Sequence, residues 1–142
     1  EMKNEIVKRI DSVDCIIMAA AVADFKPEFA NEGKLKKDDI ENMNLNLVKN
    51  DDILNLIKDS KCIKIGFAAE TKNHEEFGVK KLNSKCLDMI VINDVSNNQI
   101  GFESEYNQVK IITKKGDIFK TDVENKKIIA SNILDKLKTL IK

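Results

Sequence analysis

Two groups of lysines are the residues best suited to chemistry in this sequence. Lys34, Lys36 and Lys37 crowd into the segment Lys34-Leu35-Lys36-Lys37, and Lys81 and Lys85 stand four apart. Clustered ammonium groups on a segment able to open suit a triphosphate, whose charge needs several cations and whose release needs room. A solvated lysine run is the plainer account of 34–37. If the later segment is helical, Lys81 and Lys85 share one face and can point at the same phosphates. Asp24 is the only acid in Ala20-Ala21-Val22-Ala23-Asp24-Phe25-Lys26-Pro27. Amid small residues that let a ligand approach the backbone, it can hold a metal ion or a ribose hydroxyl; as a loop acid or helix cap it needs neither. Phe67, in Gly66-Phe67-Ala68-Ala69-Glu70-Thr71, can stack on a base or serve the core. His74, the sole histidine, sits beside Glu75 and Glu76 in a polar stretch and reads as surface. Nothing matches a nucleophile elbow, a phosphate-binding P-loop or a zinc site.

These side chains need elements to carry them. Ile6, Val7 and Ile10 recur at helical spacing within 1–12. Cys15 to Ala20 is a short continuous apolar run, as expected of a strand buried on both faces. From Asp24 to Glu41, with Pro27, Gly33 and many lysines, the chain reads as a long mobile loop. Asn44 to Val48 alternates like a strand, and Asp51 and Asp52 stand where an N-cap and a first-turn acid belong, before a helix through Ile57. Cys62 to Ala69 is strand-like, 72–84 helix-like and 88–92 again a short apolar strand. Val109 to Ile112 and Ile118 to Lys120 flank Lys114-Lys115-Gly116-Asp117, a hairpin with Gly in its turn. Val123, Ile128, Ile129, Ile133, Leu134, Leu137 and Leu140 mark a closing amphipathic helix. Alternating strands and helices predict an α/β domain: a three-layer, Rossmann-like arrangement, its mostly parallel sheet ending in an antiparallel edge hairpin. Ligands of such sheets bind outside the carboxyl ends of the strands.

Composition narrows the function classes. The 142 residues are 42% hydrophobic and 34% charged, enough for one domain (1–142) with a real core and a solvated surface. Lys and Arg total 24 against 24 Asp and Glu, and this balance argues against nucleic-acid or membrane-surface binding. Cys15, Cys62 and Cys86 lack metal-ligand spacing and read as buried free thiols in a reducing cytoplasm. No run is long and apolar enough to span a bilayer.

Taken in order, several stretches resemble the phosphopantothenate–cysteine ligase family. They are Ala19 to Asp24, Lys34 to Lys37, Asn46 to Leu54, Gly66 to Thr71, Lys81 with Lys85, Asp88 to Val91 with Asn93-Asp94-Val95, and Gly101-Phe102 with Asn107. Each is modest alone, but together they cover nearly the whole chain. The resemblance implies coenzyme A biosynthesis: 4′-phosphopantothenate is activated by CTP as an acyl-cytidylate, pyrophosphate leaves, and the amine of cysteine then displaces CMP. It implies Mg²⁺, a cytoplasmic homodimer and, in some members, a fused upstream decarboxylase domain.

By position, the resemblance makes Lys34 the catalytic cation. Met18, Ala19 and Ala20 would meet the cytosine through their backbone, with Phe67 closing the base pocket. Asp24 would bind the nucleotide through the metal, Asn50, Asp51, Asp52 and Ile53 would line its site, and Lys81 and Lys85 would hold the triphosphate. The family motif there is Asn-Pro-Asp-Ile; Asp51 takes the place of the proline. Family members open with a strand and a Gly/Ser-rich phosphate loop, and none precedes Glu1, so the chain by itself is expected to keep some CTP affinity but little turnover. Two other readings stay open: a non-catalytic Rossmann-like module for NAD or FMN, against which the missing Gly-x-Gly-x-x-Gly counts, and a dimerisation module.

Overall fold

A computed structural model describes residues 1–29, 33, 42–70, 74–94 and 104–141. Helix α1 (Met2–Arg9) carries a Glu5–Arg9 ion pair one turn apart and continues into a 3-10 turn over Ile10–Ser12. Strand β1 (Cys15–Met18) follows. The segment Asp24–Glu41, read as a loop, contains strand β2 (Phe25–Pro27), which pairs antiparallel with β3 (Leu47–Lys49). Pro27 is tolerated because this is a two-stranded ribbon, where a missing N–H can face solvent.

Helix α2 (Ile53–Leu56) leads to β4 (Ile63–Glu70), α3 (His74–Ser84) and β5 (Met89–Asp94). The predicted hairpin is present as β7 (Val109–Thr113) and β8 (Ile118–Lys120). Its turn contains Gly116 at φ +93°, a conformation that side chains resist. A small ribbon of β6 (Tyr106–Asn107) and β9 (Glu124–Asn125), which no alternation in the sequence announces, precedes helix α4 (Lys126–Lys138).

The main sheet has the order β1-β4-β5-β7-β8. The first three strands run parallel, and β7 is antiparallel to both of its neighbours, β5 and β8, so it alone is reversed. Strand alternation sends Ile65, Met89, Val91, Val109 and Ile111 to one face, where Ile129, Ile133 and Leu137 of α4 cover them. Ala68, Ile90, Ile92 and Ile112 face the other way and meet Leu82 of α3 together with Leu87. Ile10, Ile57 and Cys62 close a third cluster between the α1 and α2 regions. Helices thus lie on both sides of a mixed, mostly parallel sheet, the Rossmann-like three-layer α/β arrangement. Gly66 on β4 is required by close approach: a Cβ there would sit 2.6 Å from Leu87 Cδ1.

Three expectations need correction. Cys15–Met18 is not buried on both faces; among the described residues β1 is an edge strand, and Ile17 is 41% exposed. Val123, Ile128 and Leu134 lie outside the buried stripe of α4, so the apolar pattern is wider than the face the sheet covers. Cys86 is exposed and adopts φ 49° just after α3, where the Leu87 amide donates back to the Leu82 carbonyl (2.9 Å). That is a left-handed helix terminus, a position that prefers glycine. Cys86→Gly is therefore expected to stabilise the fold by roughly 0.5–1 kcal/mol, relief of left-handed strain outweighing glycine's entropy. Denaturant midpoints check this, and an unchanged or lowered midpoint would contradict it.

Candidate functional site

Where β1 and β4 end at their carboxyl edges, the chain opens a cleft of about 730 Å³ between the loop after β1, the start of α2 and one stripe of α3. The loop after β1 is held from beneath by Asn50. Its backbone N–H donates to the Asp24 carbonyl (2.7 Å) and its side-chain Nδ2 donates to the Ala23 carbonyl (2.8 Å). Asn50 thus spends its backbone N–H and a side-chain N–H on shaping the loop that presents Ala20 and Asp24 to the cleft, beside Met18 at the end of β1.

The α2 wall is set by Asp52, which is the helix cap; Asp51 precedes it, one position earlier than the expected capping role. Asp52 Oδ1 accepts from the Asn55 N–H at 3.0 Å, and Oδ2 pairs with the Lys85 ammonium across the cleft. Burial pushes the Asp52 carboxyl up. The hydrogen bonds from Lys85 and Asn55 and the charges of Lys85 and Lys81 outweigh it and hold the carboxyl below its usual range. A depressed folded-state value adds stability above the unfolded value of about 3.9 and loses it as pH falls through the folded one. Acid unfolding of Asp52→Asn is accordingly expected to show a shallower decline below about pH 4 than the parent chain; parallel curves would contradict it. Asp51 instead turns outward to Lys3 of α1 (2.7 Å), whose hydrogen bond and charge lower its carboxyl as well.

The α3 wall carries Lys81 and Lys85 on one side, as helical spacing predicts. Lys81 Nζ donates to the Phe67 carbonyl (2.7 Å), tying the helix to the end of β4. Phe67 borders the cleft, and its side chain packs against the α4-side core cluster, as the core reading of this residue expects.

Among the described residues, all the predicted site residues except Ala19 border this cleft. Ala19 is not among the lining residues, and Ile53 lines the cleft although it is largely buried. Lys34, Lys36 and Lys37 lie outside the described residues. Asn93 is also apart from the cleft: β5 alternation places it on the α4 face with Met89 and Val91. Phe77, Lys80 and Ser84 were missed and line the cleft with Lys81. Their signal was available, since 77, 80/81 and 84/85 form one helical stripe. Among the described residues no three of His, Cys, Asp and Glu gather into a metal cluster. Asp24 is exposed on a loop whose backbone Asn50 fixes, which suits Mg²⁺, an ion that takes one or two carboxylates beside substrate phosphates.

Residues 1–140 match the model of the DNA/pantothenate metabolism flavoprotein C-terminal domain. The chain belongs to this family. It is 38% identical over 144 aligned positions to the coenzyme A biosynthesis bifunctional protein CoaBC of Bacillus subtilis, covering 100% of this chain and 35% of that protein. A cysteine/cysteine sulfinic acid decarboxylase from an unknown prokaryotic organism is 37% identical, with 99% of this chain and 40% of that protein covered. The crystal structure of the C-terminal domain of a CoaBC protein superposes with a TM-score of 0.78 at 30% identity, over 99% of this chain and 61% of that one. This family member thus spans about a third to two fifths of the curated relatives it matches.

Proposed function

We propose that the chain is the nucleotide-binding portion of a phosphopantothenate–cysteine ligase, acting in coenzyme A biosynthesis with CTP. The observation that carries this reading is the convergence of Lys81, Lys85, Asp24 and the Asn50-braced loop on one cleft at the carboxyl ends of β1 and β4. Two ammonium groups on a helix stripe facing a small-residue loop suit a phosphate chain flanked by a ribose and base.

A carboxylate is a poor electrophile, and the reaction overcomes this in two balanced steps. One carboxylate oxygen of 4′-phosphopantothenate attacks the α-phosphorus of CTP, and the bond to the leaving pyrophosphate breaks. The cysteine amine then attacks the carbonyl carbon, the C–O bond to CMP breaks, and the nitrogen gives up a proton. In this scheme Lys81 and Lys85 bind the phosphate chain and Lys34 neutralises charge developing at the α-phosphate. Backbone groups of Met18 and Ala20 border the base, with Phe67 beside it. Asp24 would hold Mg²⁺, which would supply further charge neutralisation at the phosphates.

Dimerisation belongs to the same proposal. The β2–β3 ribbon and its flanks expose Phe25 (56%), Phe29 (78%), Leu45 and Leu47, apolar surface that a second copy would cover. A fused upstream decarboxylase domain accords with relatives that are a bifunctional protein and a decarboxylase, each much longer than this chain. Free cysteines and balanced charge accord with a cytoplasmic setting.

Calorimetric titration of the chain with CTP, ATP and NAD, each with and without Mg²⁺, tests the reading. Preferential binding of CTP, tightened by Mg²⁺, is expected. Preference for NAD, or no nucleotide binding by a folded chain, would overturn it.

A further inference from the structure

The two cleft lysines are anchored by partners of different charge. Lys81 leans on the Phe67 carbonyl, a neutral dipole that leaves its full positive charge facing the cleft. Lys85, its side chain 25% exposed, leans on the Asp52 carboxylate, 44% exposed at the same rim, which cancels that charge. Of this pair, an anion arriving in the cleft therefore meets one available cation and one already neutralised, with a carboxylate at its side. The other Asp52 oxygen caps α2 and holds the carboxylate in this place independently of Lys85.

We propose that Asp52 is a positioning residue and an internal competitor: it holds Lys85 aimed into the cleft and yields it to a ligand phosphate, lowering affinity for the anion and hastening its release. The inference rests on reading the cleft as a triphosphate site and assigns a cost to one of its own residues. Removing an acid that pairs with a site lysine would ordinarily be expected to weaken the site by misplacing that lysine. Competition predicts the opposite sign.

The probe is inorganic triphosphate without divalent cations at low salt, titrated into the parent chain, Asp52→Asn, Lys85→Gln and the double variant. Asn and Ser both cap helices, so Asp52→Asn retains the α2 start, and Asp52→Ser repeats the test should the amide introduce contacts of its own. Removal of the competitor is expected to tighten binding by roughly 3- to 10-fold and to slow dissociation by a similar factor, as for one surface ion pair. Lys85→Gln is expected to weaken binding, and in that background the gain from Asp52→Asn should largely disappear. Unchanged or weaker binding by both Asp52 variants, with the parent chain binding normally, overturns the proposal. An equal gain with Lys85 already replaced also overturns it, since the carboxylate would then act by repulsion alone. Failure of the folded parent and all variants to bind triphosphate would instead overturn the functional reading, and this proposal with it.

Discussion

Lys81→Gln is expected to weaken CTP binding by about 10- to 100-fold, the worth of one charge-assisted hydrogen bond to phosphate. The size follows from how Lys81 is held. Its ammonium is fixed against the Phe67 carbonyl and borders the cleft, so little ordering remains to be done when a phosphate arrives. Glutamine keeps a donor for that carbonyl but carries no charge, so α3 stays docked on β4 while the attraction is lost. Lys136, whose ammonium sits 4.7 Å from the Phe119 ring centroid on the far side of the sheet, is the matched control. Lys136→Gln should leave affinity within about 2-fold, as a distant screened charge does. Equal losses in the two variants would mean that general electrostatics, not the cleft, binds the nucleotide. A loss in Lys81→Gln that disappears at high salt would point the same way.

Ile65→Ala should cost about 3–4 kcal/mol, in the range for truncating a fully buried aliphatic side chain. Ile65 is 0% exposed, lies on β4 between its parallel neighbours β1 and β5, and faces the cluster completed by Ile129, Ile133 and Leu137. Few ways exist for that site to collapse, since Met89 and Val91 beside it are themselves fully enclosed. A domain of this size holds roughly 5–15 kcal/mol in total, so the variant would stay folded with a much lower denaturant midpoint. The functional consequence follows from position: Phe67, two residues further along β4, lines the cleft. Exposed Ile118 on the edge strand β8 is the contrast, and Ile118→Ala should cost under about 1 kcal/mol. A similar cost at both positions would show that the core is not where the sheet packing places it.

Much of this molecule was legible from periodicity. Strands β4 and β5 announced themselves as short apolar runs because both their faces are covered, and the β7–β8 hairpin did so through its flanking alternation and Gly116. What periodicity misread shares one cause: burial depends on which neighbour arrives. The apolar run Cys15–Met18 looks like an inner strand but stands at an edge among the described residues, and the apolar excess of α4 exceeds the stripe that the sheet covers. Strand β2 escaped notice because three residues containing a proline carry no pattern of their own; β3 supplies it.

The candidate site divides in the same way. Residue types and spacing alone singled out Asp24 in its small-residue loop and the pair Lys81 and Lys85, which a helix of known pitch must bring to one face, whereas the 50–53 segment entered through the family resemblance. Which partners those side chains meet was a tertiary matter. That Asn50 braces the loop after β1, that Asp51 turns to α1 while Asp52 turns to Lys85, and that Phe77 shares the cleft wall all depend on contacts between segments distant in the chain. Sequence by itself determined the α/β class, the hairpin and the helical lysine pair, since each follows from local repeat and backbone geometry. Only the tertiary structure decided how the lysines are held, one by a carbonyl that leaves its charge and one by a carboxylate that cancels it, because long-range packing chooses which group lies within hydrogen-bonding reach.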